Sequence, residues 1–170
     1  MSAWGRIAAL LSLAWISLLP VRAETLDSIK QTIRKRFPSV PQLSTAELAA
    51  WLSDSNRPQP LLVDVREPKE FAVSHLRGAR NLTSVASLRS AVPSPAQPVV
   101  VYCSVGYRSS ALAEKLQRAG FTNVVNLEGS IFQWANEGRT LSRGTNVVRE
   151  IHGYSRKWAQ MLQADLPVKF

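Results

Sequence analysis

Residues 99–110, "VVVYCSVGYRSS", combine a cysteine, a glycine and an arginine at a spacing that could support sulfur chemistry. Cys103 is the only cysteine in 170 residues; it follows a β-branched run, and a helical pattern begins near Ser109. Gly106 can adopt tight-turn geometry that other residues resist. Such a turn would direct loop N–H groups, the positive end of the helix and Arg108 toward the sulfur, which would lower the pKa of the thiol. The stretch therefore predicts a nucleophilic cysteine at the end of a strand.

A lone cysteine also has less reactive explanations. Cys103 cannot form an intramolecular disulfide, because the chain has no second cysteine. It is therefore a buried inert residue, an intermolecular linker, or a thiol retained for its chemistry. The neighbouring residues must decide among these three.

The first 23 residues have the organisation of a secretion signal. Arg6 precedes an apolar run of thirteen residues, Ile7 to Leu19, which is shorter than the roughly 20 residues that span a bilayer. Small residues at Val21 and Ala23 predict cleavage before Glu24, and an uncleaved anchor is the alternative. Without Arg6 and Arg22, 19 basic residues remain against 12 acidic ones, a net charge of +7. We expect a basic, exported protein, periplasmic or secreted.

Strands and helices alternate along the rest of the chain, which predicts an α/β fold with a mostly parallel central sheet flanked by helices. With 45% hydrophobic residues, the chain can bury one core. Ligands bind at the carboxyl ends of strands in such sheets, where Cys103 would lie. We predict strands over "LLVDV", "ARNL", "VVVYC" and "NVVNLEG". We predict two early helices, one over 26–37 that is ended by Pro38 and one from the Ser44–Glu47 capping box through Leu52. Four more helices are predicted near Pro68, in "TSVASLRSAVPSPAQP", over 109–119 and in "SIFQWANEG".

The chain resembles a single-domain rhodanese, a sulfurtransferase with a three-layer α/β fold that carries sulfur as a cysteine persulfide. The resemblance divides the chain after the signal into a helical lead-in (24–40), a rhodanese domain (41–138) and a basic extension (139–170) that we expect to pack on the domain. Ser74 and Ser130 depart from glycines that are frequent in the family. The residues that carry the resemblance are Asp64, Arg66, Glu70, Phe71, His75, Gly78, Ala79 and Asn81 in "DVREPKEFAVSHLRGARNL", Cys103, Gly106, Arg108 and Ser109 in "CSVGYRS", and Gly129 and Trp134 in "AGFTNVVNLEGSIFQWANEG".

The resemblance implies a double displacement in which Cys103 takes sulfur from an anionic donor such as thiosulfate and passes it to a thiophilic acceptor, cyanide or a thiol. Cys103 and Arg108 would be catalytic, with the Arg108 fork holding donor oxygens. The loop residues Ser104, Val105, Gly106, Tyr107 and Ser109 would bind substrate. Ordinary loop exposure is the alternative for Ser104 and Tyr107.

Four signature residues are expected to support the structure. Asp64, Arg66 and Glu70 fit ion pairs that fasten a strand to a helix better than acid–base chemistry. His75 fits a hydrogen-bonded scaffold position. A module that only carries persulfide or docks a partner is the alternative function, and the intact loop argues against an inactive one.

Other chemistries fit the sequence poorly. A single cysteine and two scattered histidines predict no metal site, and we expect no cofactor. A tyrosine phosphatase needs five residues between its cysteine and arginine, and here four intervene. The basic residues lack interleaved aromatics, so we expect no nucleic-acid binding. We expect no stable membrane insertion once the signal is cleaved, and the protein partner is unknown. Near-helical spacing of Ile151, Tyr154, Trp158, Met161 and Leu162 predicts a helix packed on the domain.

Overall fold

The computed structural model describes residues 24–170, so the proposed secretion signal lies outside the described residues. A five-stranded parallel sheet forms the centre, in the order β1-β5-β4-β2-β3. Its strands are β1 (Gln42–Leu43), β2 (Leu61–Asp64), β3 (Arg80–Asn81), β4 (Val99–Tyr102) and β5 (Val124–Leu127). The flanking helices are α1 (Leu26–Arg36), α2 (Thr45–Ser53), α3 (Pro68–Val73), α4 (Val85–Ala91), α5 (Tyr107–Arg118) and α6 (Ser130–Asn136). The predicted α/β class and the parallel sheet are therefore confirmed.

The core surrounds β4, the strand that precedes the cysteine. All four residues of β4 are buried, because the strand lies between β2 and β5 and helices cover the sheet. Helix α5 packs on β4 and β5, and α4 packs on α5. Helices α2 and α6 also contact each other. These layers fix the carboxyl end of β4, where the chain leaves the sheet.

Local signals place most helix boundaries. The Ser44 hydroxyl accepts from the Glu47 amide at 3.2 Å, and the Glu47 carboxylate accepts from the Ser44 amide at 2.8 Å, the predicted capping box. Helix α1 ends at Arg36, before Pro38, as predicted. Helix α5 begins at Tyr107, two residues earlier than predicted, because Gly106 is already its N-cap. Strand β1 was not predicted, since two residues carry no readable alternation.

The predicted helix of the C-terminal extension is wrong. Residues 139–170 instead form a hairpin, β6 (Leu141–Arg143) with β7 (Asn146–Val148), and a parallel ribbon, β8 (Ile151–His152) with β9 (Val168–Lys169). Only α7 (Arg156–Ala159) is helical. The interruption comes at Tyr154, whose φ of +63° is incompatible with a helix.

The extension nevertheless packs on the domain. Ile151 is fully buried and Leu162 nearly so, both within the main core. The Asn136 amide donates to the Met161 carbonyl at 2.8 Å, and its oxygen accepts from the Gln163 amide at 2.9 Å. Between residues 24 and 170, none of the helices has the length and hydropathy to cross a membrane.

Candidate active site

Cys103 lies directly after β4, at the carboxyl edge of the sheet, and is 1% exposed. The next three residues turn sharply into α5. The Gly106 amide donates to the Cys103 sulfur at a distance of 3.1 Å. The thiol therefore sits at the floor of a loop with at least one backbone donor directed at it.

Gly106 is required by both its conformation and its surroundings. Its φ is +113°, in the region that favours glycine. A Cβ there would lie 3.2 Å from Asn126 Nδ2 and 3.4 Å from Ile33 Cδ1. The close approach of α1 and β5 thus keeps the loop tight enough for the Gly106 amide to reach the sulfur.

The first turn of α6 fixes the outer side of the loop. The Ile131 amide donates to the Cys103 carbonyl at 3.2 Å, and the Phe132 amide donates to the Ser104 carbonyl at 3.0 Å. The Ser130 hydroxyl accepts from the Cys103 amide at 3.2 Å and donates to the Leu127 carbonyl at 3.0 Å. Ser130 has a φ of +52°, so this departure from glycine keeps the left-handed turn and adds a hydroxyl that accepts a hydrogen bond from the Cys103 backbone.

Opposing effects set the pKa of the Cys103 thiol. Burial raises it, while the charge of Arg108, the hydroxyl and amide of Ser109 and the amide of Gly106 lower it; the result is a pKa below the ordinary value. The buried Ser109 hydroxyl has no other hydrogen-bond partner among residues 24–170, so its proton can turn to a thiolate. The site thus favours the nucleophilic form of sulfur.

Arg108 is paired with a carboxylate, so its guanidinium is not free to bind donor oxygens as the sequence led us to expect. Its Nη1 and Nη2 donate to the two Glu70 oxygens at 2.8 and 2.9 Å, and Nη2 also donates to the Ser104 hydroxyl at 3.1 Å. The fork expected to bind thiosulfate oxygens is therefore occupied by Glu70. Burial lowers the pKa of Arg108, but the Glu70 carboxylate and the charge of Cys103 outweigh burial and raise it, so the guanidinium stays charged beside the sulfur.

The signature residues divide into two ion pairs. Arg66 is fully buried and donates to Asp64 through Nε at 3.0 Å and Nη2 at 2.7 Å, and Nη2 also donates to the Ser74 carbonyl at 2.6 Å. This pair joins the end of β2 to the end of α3. Glu70, 1% exposed, pairs instead with Arg108 and so links α3 to the active loop. Glu70 thus acts on the site, a connection that residues 38 apart in sequence do not reveal.

His75 contacts Phe71 and the C-terminal extension. Its ring stacks on Phe71 with centroids 3.9 Å apart, and its Nδ1 lies 3.0 Å from the Phe71 carbonyl. Its backbone pairs with Ser142 of the extension, the two amides each donating to the other residue's carbonyl at 2.9 and 2.8 Å. His75 therefore joins α3 to the extension.

An open cavity of about 310 Å³ lies over the thiol. Of the predicted site residues, Cys103, Ser104, Val105, Tyr107 and Arg108 line it, while Gly106 approaches the sulfur from the loop and Ser109 from the first turn of α5. Two further lining residues, Tyr154 and Trp158, come from the extension and were not predicted as site residues. Their near-helical spacing predicted instead the face of a helix that packs on the domain. Among residues 24–170, no group of three potential ligands could hold a metal ion.

Comparisons with known proteins agree with this geometry. The chain is 37% identical over 75 residues to "Thiosulfate sulfurtransferase GlpE" of Pseudomonas aeruginosa, covering 43% of this chain and 67% of that one. It is 33% identical over 99 residues to "Probable adenylyltransferase/sulfurtransferase MoeZ" of Mycobacterium tuberculosis, covering 56% of this chain and 24% of that one. The chain spans less than two thirds of the length of several curated relatives that it matches, 24% in the case of MoeZ.

The fold is shared with solved structures. A crystal structure of a thiosulfate sulfurtransferase from Pseudomonas aeruginosa superposes with a TM-score of 0.60 at 22% identity, covering 71% of this chain and 23% of that one. The sequence profile of the Rhodanese-like domain matches residues 44–137, more than half of the chain. With the thiol loop and the parallel sheet, this match shows that the chain belongs to the rhodanese-like sulfurtransferase family.

Proposed function

We propose that the protein is an exported sulfurtransferase that moves sulfane sulfur from an anionic donor such as thiosulfate to a thiophilic acceptor. The observation that carries the proposal is the Cys103 sulfur at the floor of an open cavity, 3.1 Å from the Gly106 amide and beside a charged Arg108. The similarity to a relative named as a thiosulfate sulfurtransferase supports this donor class.

Loading is a displacement at sulfur. The Cys103 thiolate attacks the outer sulfur of thiosulfate, the sulfur–sulfur bond of the donor breaks, and sulfite leaves with the bonding electron pair. Cys103 then carries a persulfide, which solvent can protonate. Loop amides and Arg108 provide the positive potential that two anionic reactants need in order to meet. No histidine base takes part in this step.

We expect thiosulfate to add one sulfur atom to Cys103, an increase of about 32 Da for a persulfide. Intact-protein mass spectrometry of the mature chain measures it. Cyanide should then remove the added mass, because the acceptor attacks the outer sulfur and returns the thiolate. Since the chain has one cysteine, any labile adduct reports on Cys103 alone. A protein that stays unmodified under conditions that load a control rhodanese would contradict the proposal that it is an enzyme.

The same assay separates an enzyme from a persulfide carrier. An enzyme turns over repeatedly when thiosulfate and cyanide are both present. A carrier loads once but discharges only to its protein partner. Thiocyanate formed per mole of protein, followed over time, distinguishes the two functions.

Export makes a separate prediction. We expect the mature chain to start at Glu24 and to occur in the periplasm or the medium, because the apolar run is short and small residues precede the cleavage point. N-terminal sequencing of the protein from its natural source tests this. A chain that retains Met1 in the membrane fraction would indicate an anchor, and one in the soluble cytoplasm would refute export.

A further inference from the structure

Two aromatic residues from outside the family domain border the reactive sulfur. Tyr154 and Trp158 lie beyond residues 44–137, yet both line the cavity over Cys103. Their rings meet edge to face, with centroids 5.9 Å apart. The Arg108 guanidinium carbon lies 5.0 Å from the centroid of Tyr154. We call Tyr154 and Trp158 the aromatic wall.

The backbone holds Tyr154 in a conformation that a bulky residue rarely adopts. Only Ser130 and Tyr154 among the non-glycine residues of the described part of the chain have a positive φ, and Ser130 serves the active loop. The Tyr154 amide donates to Nδ1 of buried His152 at 3.0 Å. Tyr154 is still 49% exposed, so core packing does not account for the strained turn. Strain of this kind concentrates at functional sites.

The neighbouring elements close tightly on the same turn. A Cβ at Gly153 would lie 2.6 Å from Val168 Cγ1 and 3.0 Å from Ala159 Cβ. The Gly153 amide donates to the Lys169 carbonyl at 2.9 Å. Strand β9 and helix α7 therefore pack directly against the turn that contains Tyr154, and α7 itself carries Trp158.

The cavity is larger than an inorganic donor needs. Its volume of about 310 Å³ reaches the range of sites that bind small organic molecules, roughly 300–1,000 Å³. Thiosulfate and cyanide have only a handful of heavy atoms and require no aromatic surface. Among residues 24–170, Arg108 is the one cation in the lining, and it is already paired with Glu70. The wall thus offers ring faces and edges rather than free charge, a surface suited to an apolar group.

We propose that the aromatic wall is an acceptor subsite that binds the carbon skeleton of an organic thiol with an aromatic or similarly bulky apolar group. The inference rests on the proposed sulfurtransferase function and adds the class of acceptor. Bound there, the thiolate RS⁻ attacks the outer sulfur of the Cys103 persulfide. A new sulfur–sulfur bond forms, the bond to the cysteine sulfur breaks, and its electron pair returns to the Cys103 thiolate. The product is the acceptor persulfide, RSSH.

The preference of the protein between two acceptor thiols tests whether the aromatic wall is an acceptor subsite. The persulfide form, loaded with thiosulfate and freed of donor, is mixed in single turnovers with benzyl mercaptan or with 2-mercaptoethanol, which lacks the ring. We expect wild type to prefer benzyl mercaptan, and Trp158→Ala and Tyr154→Ala to lower the ratio of the two second-order rate constants about tenfold, as loss of a pocket contact does. Trp158→Phe should restore part of the ratio.

Val147→Ala is the control, because Val147 is an exposed apolar residue of the extension that does not line this cavity. Ratios within twofold of wild type in both alanine variants would overturn the inference.

A binding measurement separates this inference from the proposed function. In Cys103→Ser, benzyl mercaptan should shift the indole N–H resonance of Trp158 without any sulfur transfer, and Trp158→Phe assigns that signal. The Trp51 and Trp134 indoles serve as internal controls, because they donate to the Pro58 and Thr140 carbonyls at 2.9 and 3.0 Å. If thiosulfate fails to load the protein, the proposed function fails, and the Trp158 shift decides the subsite alone. A Trp158 signal that does not move at saturating thiol contradicts the subsite.

Discussion

Replacing Cys103 by serine should lower sulfur transfer from thiosulfate at least about 1000-fold, because an alcohol in this loop is neither ionised nor able to carry sulfane sulfur. The fold should survive. Serine is close in shape to cysteine, and its hydroxyl can accept the Gly106 amide that now donates to sulfur. Thiocyanate production from thiosulfate and cyanide measures the loss.

Two controls make this result interpretable. Cys103→Ala removes the polar atom as well, so a shared loss in both variants assigns the effect to the missing thiol rather than to a buried hydroxyl. Circular dichroism and the thermal midpoint show whether each variant is folded. A folded Cys103→Ser protein that retains a tenth of the parent activity would place the chemistry elsewhere.

Replacing Arg108 by alanine should have the second largest effect, about 100-fold or more in kcat/KM for thiosulfate. The variant loses the charge beside the sulfur and also leaves the Glu70 carboxylate, 1% exposed, without its partner. Glu70 and Cys103 both interact with the charge of Arg108, so once Arg108 is removed the Glu70 carboxylate opposes ionisation of the thiol, since like charges in a site of low polarity repel. Arg108→Lys keeps the charge but cannot make both bonds to Glu70, so it should retain part of the activity.

The pH profile reveals how Arg108 acts. The charge of Arg108 now helps to hold the pKa of Cys103 below its ordinary value, so Arg108→Ala must raise that pKa. The acidic limb of the rate profile for loading should therefore move to higher pH, and activity should recover partly in alkaline buffer. The double variant Arg108→Ala with Glu70→Gln should lose less than Arg108→Ala alone, because the unpaired carboxylate is gone. An unmoved limb and activity within twofold of the parent would assign Arg108 to the scaffold.

Local patterns predicted the core of the fold because they report on single elements. The β-branched run at 99–101 is buried on both faces, and the Ser44–Glu47 capping box starts α2. The position of Cys103 at the end of a strand and before a tight turn was also predictable, since Gly106 and the cysteine are three residues apart. Features of this kind depend only on residues that are close together in the sequence.

Contacts between distant segments were not predictable from such patterns. The Glu70–Arg108 pair joins residues 38 apart, and no periodicity signals it. Tyr154 and Trp158 are four residues apart, which is typical of a helix, but the strained turn at Tyr154 separates Ile151 in β8 from Trp158 in α7. Apolar residues at helical spacing can thus come from a strand, a turn and a short helix rather than from one helix.

The ribbon of β8 and β9 gives the two sides of the cavity different local stabilities. Two residues in each strand and few backbone hydrogen bonds hold the ribbon, whereas β4 is paired on both sides within the core. Short, peripheral units open with a smaller free energy than central strands, so amide hydrogens around Gly153 should exchange long before those of β4. We therefore expect the segment that carries Tyr154 to open more readily than the loop of Cys103, so that the outer side of the cavity can widen while the thiol loop keeps its structure.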